Sequence, residues 1–325
     1  MILAGDIGGT NVRLALFEIE GGRLVAMDER TFRSRDFTGL ERPVEEFLAG
    51  RRVSAAGFGV AGPVRNGRSE ATNLSWIVDA AALARQLSLP RVALVNDLFA
   101  NAAGLGELSP SDFAVVNAGT ENPDGNAALI SAGTGLGEAF LVRLNGRFWP
   151  QASEGGHASF APRNAVEIDL LRHLETKWSH VSFERILSGP GLAALYAFER
   201  ARSGESEPGW LTEEIARSGD PAPAVTAAGL SGRDAVAERT VERFVSIYGG
   251  EAGNLALKVL ATGGLYVGGG IAPRMLPRML DGTFFGGFCD KGRFAPLLAK
   301  IPVRVVTNDR CALLGAARTG AESAS

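Results

Sequence analysis

Two short glycine-rich turns, each between two apolar strand-like stretches, constrain this sequence more than any other feature. Residues 8–11 read GGTN and residues 133–137 read GTGLG. A turn without Cβ atoms exposes successive backbone N–H groups in a concavity that suits phosphate oxygens. Either turn alone is more often a simple tight hairpin. Two of them, each with a threonine beside a glycine, favour a nucleotide held between two related domains.

Strand and helix patterns alternate around the first turn. Strands are predicted at 2–7, 12–19 and 24–32, with a Gly21-Gly22 hairpin turn between the last two. The elements predicted after them are a helix at 40–48, a strand at 53–60, a helix at 80–87 and a strand at 91–95. A meander followed by alternation predicts an α/β domain with a mixed sheet.

The second half of the chain contains a further set of strands. Strands are predicted at 127–132, 139–144, 265–269 and 303–307, and the last helix at 311–317. Residues 237–248 present one apolar helix face. Residues 108–110 (LSP) are the candidate linker, and the Pro/Ser/Glu-rich stretch 204–224 is predicted to be exposed and poorly specified.

Composition excludes several classes of protein. A length of 325 residues suggests about two domains, and 33 basic against 36 acidic residues excludes a nucleic-acid footprint. Two cysteines, Cys289 and Cys311, cannot form a disulfide framework and suit a reduced compartment. Asp6 interrupts any signal peptide, and the charge-free stretch 259–273 is too short to span a bilayer. We therefore expect a cytoplasmic protein with no membrane partner.

Two other glycine motifs need separate interpretation. Residues 57–62 spell G-x-G-x-x-G after a strand, but Pro63 and the 66–67 Asn-Gly pair predict a turn where a dinucleotide site needs a helix. This match is interpreted as fortuitous. Residues 268–270 (GGG) close a late strand and precede a predicted helix at 273–280. They either let an adenosine moiety approach the backbone or form a left-handed turn, and composition leaves both open.

Five motifs occur together in one order. They are DIGGTNVRLA at 6–15, VND at 95–97, SAGTGLG at 131–137, EGGH at 154–157 and ERILSGPG at 184–191. In order and spacing this set resembles the proteobacterial-type glucokinases of the actin/hexokinase superfamily, and the resemblance covers essentially the whole chain. A D-x-G-G-T motif alone is shared with many sugar kinases, whereas the five together are highly specific.

The resemblance implies an architecture. It is an α/β fold of two ribonuclease H-like domains whose mixed sheets flank an inter-domain cleft. The small domain would comprise residues 1–108 plus 303–325, and the large domain residues 109–302. A homodimer is expected by the same analogy.

The resemblance also implies the residues that bind the sugar. Asp97 would be the catalytic base that accepts the proton of the sugar 6-hydroxyl, although an Asp after a strand is otherwise often a helix N-cap. Asn96, Asp97, Glu154, His157 and Glu184 would bind sugar hydroxyls. Without their motifs, these residues would be interpreted as turn, capping or surface residues. Residues 73–76 (NLSW) recur near the sugar in relatives and are left out of this set.

The implied nucleotide site uses both glycine turns. Asp6 would hold Mg²⁺ through water, because Mg²⁺ keeps much of its hydration. The residues implied to bind ATP are Gly5, Asp6, Gly8, Gly9, Thr10, Asn11, Gly133, Thr134, Gly135, Gly269 and Gly270. A zinc site is not expected, because the two cysteines are distant from each other and glycines separate Glu154 from His157.

The expected activity is ATP-dependent phosphorylation of D-glucose to glucose 6-phosphate, the first step of glycolysis. The alternative is a related hexose or amino-sugar kinase, since the pocket width at the sugar 2-position cannot be read from sequence. A third class, an ATPase or non-catalytic module of the filament or chaperone type, would have no use for the five sugar residues together. Strictness for glucose, a donor other than ATP and allosteric regulation stay open at this stage.

Overall fold

The computed structural model describes residues 1–70 and 76–324. They divide into two compact units. The first comprises Met1–Asp112, Arg147–Ala152 and Asn308–Ser325, and the second comprises Phe113–Gly146 and Ser153–Thr307. Within the described ranges, no helix is both long enough and apolar enough to cross a membrane.

The chain alternates strands and helices along most of its length. The strands are β1 Ile2–Ile7, β2 Asn11–Glu20, β3 Arg23–Arg33, β4 Ala55–Val60, β5 Val64–Arg65, β6 Arg68–Glu70, β7 Ile77–Asp79, β8 Ala93–Asn96, β9 Phe113–Asn117, β10 Ala127–Ala132, β11 Leu136–Leu144, β12 Arg147–Ser153, β13 Gly264–Gly268 and β14 Val303–Val306. The helices are α1 Glu41–Leu48, α2 Ala80–Leu87, α3 Asp97–Gly104, α4 Ala165–Glu175, α5 Gly189–Ser203, α6 Gly209–Ser218, α7 Pro221–Leu230, α8 Ala235–Val259, α9 Leu276–Leu280, α10 Thr283–Cys289, α11 Ala295–Leu298 and α12 Cys311–Ala324.

The first unit is built on a mixed sheet in the order β3-β2-β1-β4-β8. β1 runs antiparallel to β2 and parallel to β4, which runs parallel to β8. Successive side chains of β1 point to opposite faces, so Leu3 joins one apolar cluster and Ile2 the other. α12 contributes Leu313 and Ala316 to the second cluster. Because both faces are covered, β1 is an almost unbroken apolar run.

The G-x-G-x-x-G sequence in this unit serves packing. A Cβ on Gly57 would lie 2.0 Å from the Ala316 carbonyl oxygen, so its absence lets α12 approach the sheet. The next element is β5, which forms a hairpin with β6 through Asn66 and Gly67, both at positive φ. A strand therefore stands where a dinucleotide site would need a helix, in agreement with the sequence interpretation.

The second unit contains another mixed sheet, in which five strands have the order β11-β10-β13-β14-β9. β10 runs antiparallel to β11 and parallel to β13, and β13 runs parallel to β14. The 25-residue helix α8 buries Phe244 and Tyr248 in the core of this unit. In each unit, the first strand of an antiparallel hairpin ends at a glycine turn. Along its other edge, that strand pairs with a parallel strand.

Two details differ from the sequence predictions. β14 pairs with β13 and β9, so residues 303–306 belong to the second sheet and not with the N-terminal strands. The expectation that residues 204–224 are poorly specified was wrong, because α6 and the start of α7 lie there. Asp220 caps α7, Pro221 occupies its first turn, and Leu211 and Ala222 are buried. Short helices with small apolar residues lack the periodicity that would have revealed them.

Candidate active site

The first glycine turn, between β1 and β2, is held by a side chain that sequence reasoning missed. Gly8 N–H donates to the Asn11 carbonyl (2.9 Å). Buried Ser34 donates its N–H to the Thr10 carbonyl (2.9 Å) and its hydroxyl to the Gly8 carbonyl (2.8 Å). Since the hydroxyl of Ser34 tethers the inner side of the turn, Gly9 and Thr10 remain exposed. A serine after an apolar strand carries no sequence signal for this role.

Asp6 and Asp97 lie close together in the first unit, at the carboxyl ends of β1 and β8. Burial and, next, the charge of Asp97 raise the pKa of Asp6 to about 6, against an opposing effect of Arg13. Gly59 of the intervening β4 lets α3 pack closely on the sheet, since a Cβ there would lie 2.8 Å from the Ala100 Cβ. Gly5 is buried against Phe58, whose ring would lie 2.4 Å from a Cβ at that position. Packing therefore accounts for Gly5.

Asn96, and not Asp97, is the N-cap of α3. Its Oδ1 accepts from Leu98 N–H (2.9 Å), and its Nδ2 donates to the Gly62 carbonyl (3.0 Å). Asp97 is the first residue of the helix, and its Oδ1 also accepts from Leu98 N–H (2.9 Å). The cap orients the neighbouring Asp97 carboxylate at the end of the sheet, where ligand-binding groups of parallel strands are found.

The second glycine turn, between β10 and β11, is joined to the ERILSGPG motif. Gly133 N–H donates to the Gly135 carbonyl (2.8 Å), and the Gly133 carbonyl accepts from Gly189 N–H (2.9 Å) at the start of α5. A Cβ on Gly135 would lie 2.6 Å from Glu184 Oε2. That same oxygen accepts from Leu136 N–H (3.0 Å). The absence of a side chain at Gly135 therefore makes room for the carboxylate of Glu184.

Three of the predicted sugar residues converge in the second unit. His157 Nε2 lies 3.9 Å from Glu154 Oε2, and His157 Nδ1 lies 3.8 Å from Glu184 Oε1. The side chains of His157 and Glu184 are 59% and 28% exposed, so both are accessible to a ligand. His180, to which the sequence assigned no role, forms a ring-nitrogen hydrogen bond with the His157 carbonyl (3.0 Å). Two carboxylates and an imidazole so placed can accept from and donate to vicinal hydroxyls.

A cavity of about 580 Å³ opens beside the second glycine turn. It is lined by Gly133, Thr134, Gly189, Pro190, Leu192, Ala193, Gly219, Asp220, Pro221, Ala222, Pro223, Thr226, Gly270, Ile271, Arg274 and Met275. The first turns of α5 and α7 form two of its walls, and their N–H groups donate within the protein, as Gly191 N–H does to Ser188 Oγ (3.0 Å) and Ala222 N–H to Asp220 Oδ1 (3.0 Å). The lining is otherwise mostly apolar, and its polar residues are Thr134, Asp220, Thr226 and Arg274. The cavity is therefore a mostly apolar slot beside the second glycine turn, with one cationic residue, Arg274, in its lining.

Of the two interpretations of residues 268–270, the left-handed turn is confirmed at Gly269, and the approach of an adenosine stays a prediction. Gly269 has φ +81° and a Cβ there would lie 2.2 Å from the Ala132 carbonyl oxygen, so it forms a left-handed turn that only glycine fits. Gly270 lines the cavity instead. Residues 73–75 of the NLSW stretch lie outside the described residues.

Few residues are suited to a metal ion. Among the described residues no group of three or more His, Cys, Asp or Glu side chains could hold one. The neighbouring carboxyls of Asp6 and Asp97 are the remaining candidates. The pKa of Asp6 is raised because the effect of Arg13 does not offset burial and the charge of Asp97, so a bound cation would stabilise the ionised carboxylate. Mg²⁺ typically takes one or two carboxylates and keeps its waters, so this pair fits it.

Comparison with known proteins gives consistent results. A family profile described as Glucokinase matches residues 3–323. A glucokinase of Nostoc sp. (strain PCC 7120) is 40% identical over 334 residues, which cover 98% of each chain. A crystal structure of glucokinase from an Antarctic psychrotroph has a TM-score of 0.86 at 33% identity and covers 99% of this chain and 98% of its own. A ROK family glucokinase from Streptomyces griseus, in complex with glucose and AMPPNP, shares the fold (TM-score 0.68, 20% identity, 99% of each chain).

Proposed function

Because this chain belongs to the glucokinase family, it is an enzyme that phosphorylates glucose, and we propose a role in that reaction for each of its site residues. ATP is the phosphoryl donor, and the product glucose 6-phosphate enters glycolysis. In the proposal, Glu154, His157 and Glu184 bind the sugar hydroxyls, and Asn96 and Asp97 complete the sugar site. The convergence of the first three residues within 4 Å is the observation that carries the proposal.

Asp97 is the proposed catalytic base. Phosphoryl transfer is mainly positioning and charge neutralisation, and a carboxylate directed at the attacking hydroxyl accepts its proton as the bond to phosphorus forms. The Asn96 cap and the Leu98 N–H hold this carboxylate, so it needs little reorganisation during the reaction.

The proposed ATP site uses both glycine turns and the cavity. Residues 8–11 and 133–135 would cradle the phosphates with their backbone N–H groups, and Gly269 and Gly270 would bound the adenosine. Asp6 would hold Mg²⁺ through water, and the ion would neutralise phosphate charge. The contact between Gly135 and Glu184 supports this assignment, because it joins a phosphate turn to a sugar ligand in one unit.

The finer architecture belongs to the same proposal. Two ribonuclease H-like domains would flank a cleft in which Asp97 meets the sugar bound by the second unit. Closure on glucose would exclude water and disfavour hydrolysis of ATP. The homodimer and the cytoplasmic location rest on the family resemblance and stay predictions.

The test is a coupled assay of ADP release from ATP with glucose, mannose, fructose, N-acetylglucosamine or no sugar. We expect release with glucose, and a rate without sugar that is lower by at least about 10³-fold, since binding energy of the sugar assembles the site. Higher kcat/KM with another hexose would favour the alternative kinase. ADP release that is independent of sugar would contradict the proposal.

A further inference from the structure

β11 contacts both parts of the proposed sugar site. Its first residue, Leu136, donates its N–H to Glu184 Oε2 (3.0 Å), and a Cβ on Gly156 would lie 2.0 Å from the Leu136 carbonyl oxygen. Two residues further along β11, Glu138 lies against the other glycine of the EGGH turn. A Cβ on Gly155 would be 2.0 Å from Glu138 Oε2 and 2.8 Å from its Cδ. The turn that bears Glu154 and His157 therefore rests directly on the Glu138 carboxyl.

Ser153 reinforces this contact. Its hydroxyl donates to the Glu138 carbonyl (3.0 Å) and accepts from Gly155 N–H (3.1 Å). The backbone of Glu138 and the backbone of the turn are thus linked through one side chain. Any displacement of the Glu138 carboxyl would be transmitted to the turn, because protein interiors are close-packed.

The Glu138 carboxyl is buried beside a second carboxyl. Glu138 is 1% exposed and Glu251 of α8 is fully buried. Glu251 accepts from Asn254 Nδ2 (2.7 Å) and lies 3.4 Å from Lys258 Nζ, so it has the partners that an ionised carboxylate needs. Glu138 Oε1, by contrast, is buried with no donor in the described part of the chain. A proton on Glu138 would resolve this difference, because it could be donated in a hydrogen bond to the neighbouring Glu251 and would leave one negative charge opposite Lys258.

The electrostatics of the groups facing Glu138 agree with this geometry. Burial, and next the charge of Glu251, raise the pKa of Glu138 to about 8, while Lys258 lowers it. Tyr248, which also faces Glu138 from α8, is neutral, since burial raises its pKa far above its usual range. The pKa of Glu138 is therefore raised from its usual acidic range to near neutral pH.

We propose that Glu138 is a positioning residue for the sugar, and that its protonated carboxyl, bonded to Glu251, holds the Glu154–His157 turn in its binding conformation. It touches no substrate and acts through Gly155. The inference rests on the proposed function only in taking Glu154 and His157 as sugar ligands. Loss of the proton would place two charged carboxylates side by side in the interior, and their repulsion would displace the turn.

The experiment measures the glucose dissociation constant by calorimetry between pH 6 and 9.5, for the wild type and Glu138→Gln. Only the protonated wild type binds well, so we expect its dissociation constant to rise above pH 8, approaching about tenfold per pH unit. Glu138→Gln retains a donor to Glu251 and cannot titrate. We expect it to bind like the wild type at pH 6.5 and to lack the alkaline rise.

Two further variants separate the effect of Glu138 on the turn from a general loss of stability. Glu138→Ala leaves a void under the turn, and we expect glucose binding to weaken at every pH by roughly 10–100-fold, as for residues that orient metal ligands. Glu167→Gln removes another buried carboxylate of the second unit, one bonded to Arg163. We expect it to lower stability but to keep the wild-type pH dependence of glucose binding.

An alkaline rise that persists in Glu138→Gln, or weak binding by that variant at pH 6.5, would overturn the inference. A wild type without the rise would overturn it as well. His157→Ala separates this failure from failure of the proposed function. If that variant binds glucose as the wild type does, the sugar site itself is wrongly assigned; if it binds weakly, any failure of the Glu138 variants concerns Glu138 alone.

Discussion

At several positions of the proposed sugar site, the atoms that pack against the backbone decide which residue type fits. Gly135 leaves room for the Glu184 carboxylate, and Gly156 lies against the Leu136 carbonyl. Neither has a positive φ, so their role is close approach and not turn geometry. Asn96 shows the complementary case, in which a side chain replaces backbone partners at a helix end and thereby orients Asp97.

The role of Asp97 makes a prediction at this scale. Asp97→Ala removes the group that accepts the hydroxyl proton, so we expect kcat for glucose to fall by about 10²–10⁴-fold with little change in the glucose dissociation constant. Steady-state kinetics and calorimetry on the same preparation measure both quantities.

Asp97→Asn is the matched control for folding. Its amide oxygen can still accept from Leu98 N–H, as Asp97 Oδ1 does at 2.9 Å, but it is a poor proton acceptor. We expect the same loss of kcat with a wild-type melting temperature. Turnover near that of the wild type in either variant would mean that another group is the base.

At the scale of elements, the two glycine hairpins have the same relation to their sheets. β1 and β10 each pair antiparallel with the next strand and parallel with a later one, so each glycine turn lies at the carboxyl end of its first strand. In the second unit, α5 and α7 add their N-termini to the cavity beside the turn. The elements thus form a cavity whose walls no single motif contains.

The cavity walls make a prediction at this scale. Ala193 of α5 lines the cavity, so Ala193→Phe would fill part of its volume of about 580 Å³. We expect KM for ATP to rise at least about tenfold, the effect of losing roughly 1.4 kcal/mol of binding, with the glucose dissociation constant unchanged. Ala201→Phe on the exposed part of the same helix is the control and should change neither value. A changed affinity for glucose with an unchanged KM for ATP would contradict the assignment of the cavity.

The whole molecule consists of two units, each with its own mixed sheet and apolar clusters. The chain leaves the first unit after Asp112, returns to it for Arg147–Ala152 and returns again at Asn308, after which α12 completes the core with Leu313 and Ala316. The C-terminal helix therefore stabilises strands from the other end of the sequence.

Two buried carboxyls predict how stability depends on pH. Asp6 and Glu138 have folded pKa values of about 6 and 8, both above their ordinary values of 3.8 and 4.5. The folded chain therefore binds protons more tightly than the unfolded chain, and this stabilisation is lost as pH rises through those folded values. Urea unfolding should show a free energy of unfolding that falls from pH 5 to pH 9.

Glu138→Gln isolates the contribution of Glu138. Relative to this variant, the wild type should lose about 4 kcal/mol of unfolding free energy between pH 5 and 9, with most of the loss complete near pH 8. A constant difference between the two proteins over that range would show that Glu138 is ionised throughout.

Elements with a strong local pattern were predicted accurately. The strands Ile2–Ile7 and Ala127–Ala132 and the helix Ala80–Leu87 have the predicted bounds. The first two are apolar runs that end at a glycine turn, and the third follows its own Asp79 cap. α6 and α7 escaped prediction, because their small and polar residues carry no periodic signal.

The sequence by itself determined the family, the two glycine turns and the groups that we propose bind the sugar, because these depend on residue types at fixed spacings. Only the tertiary structure decided which atoms meet: Ser34 beneath the first turn, Glu184 against Gly135, and the walls of α7 around the cavity. It alone brought Glu138 and Glu251, 113 positions apart, into one buried pair. Motifs and turns depend on residues that are close in the sequence. Burial, and its effect on the charge of a side chain, depends on contacts between residues that are distant in the sequence.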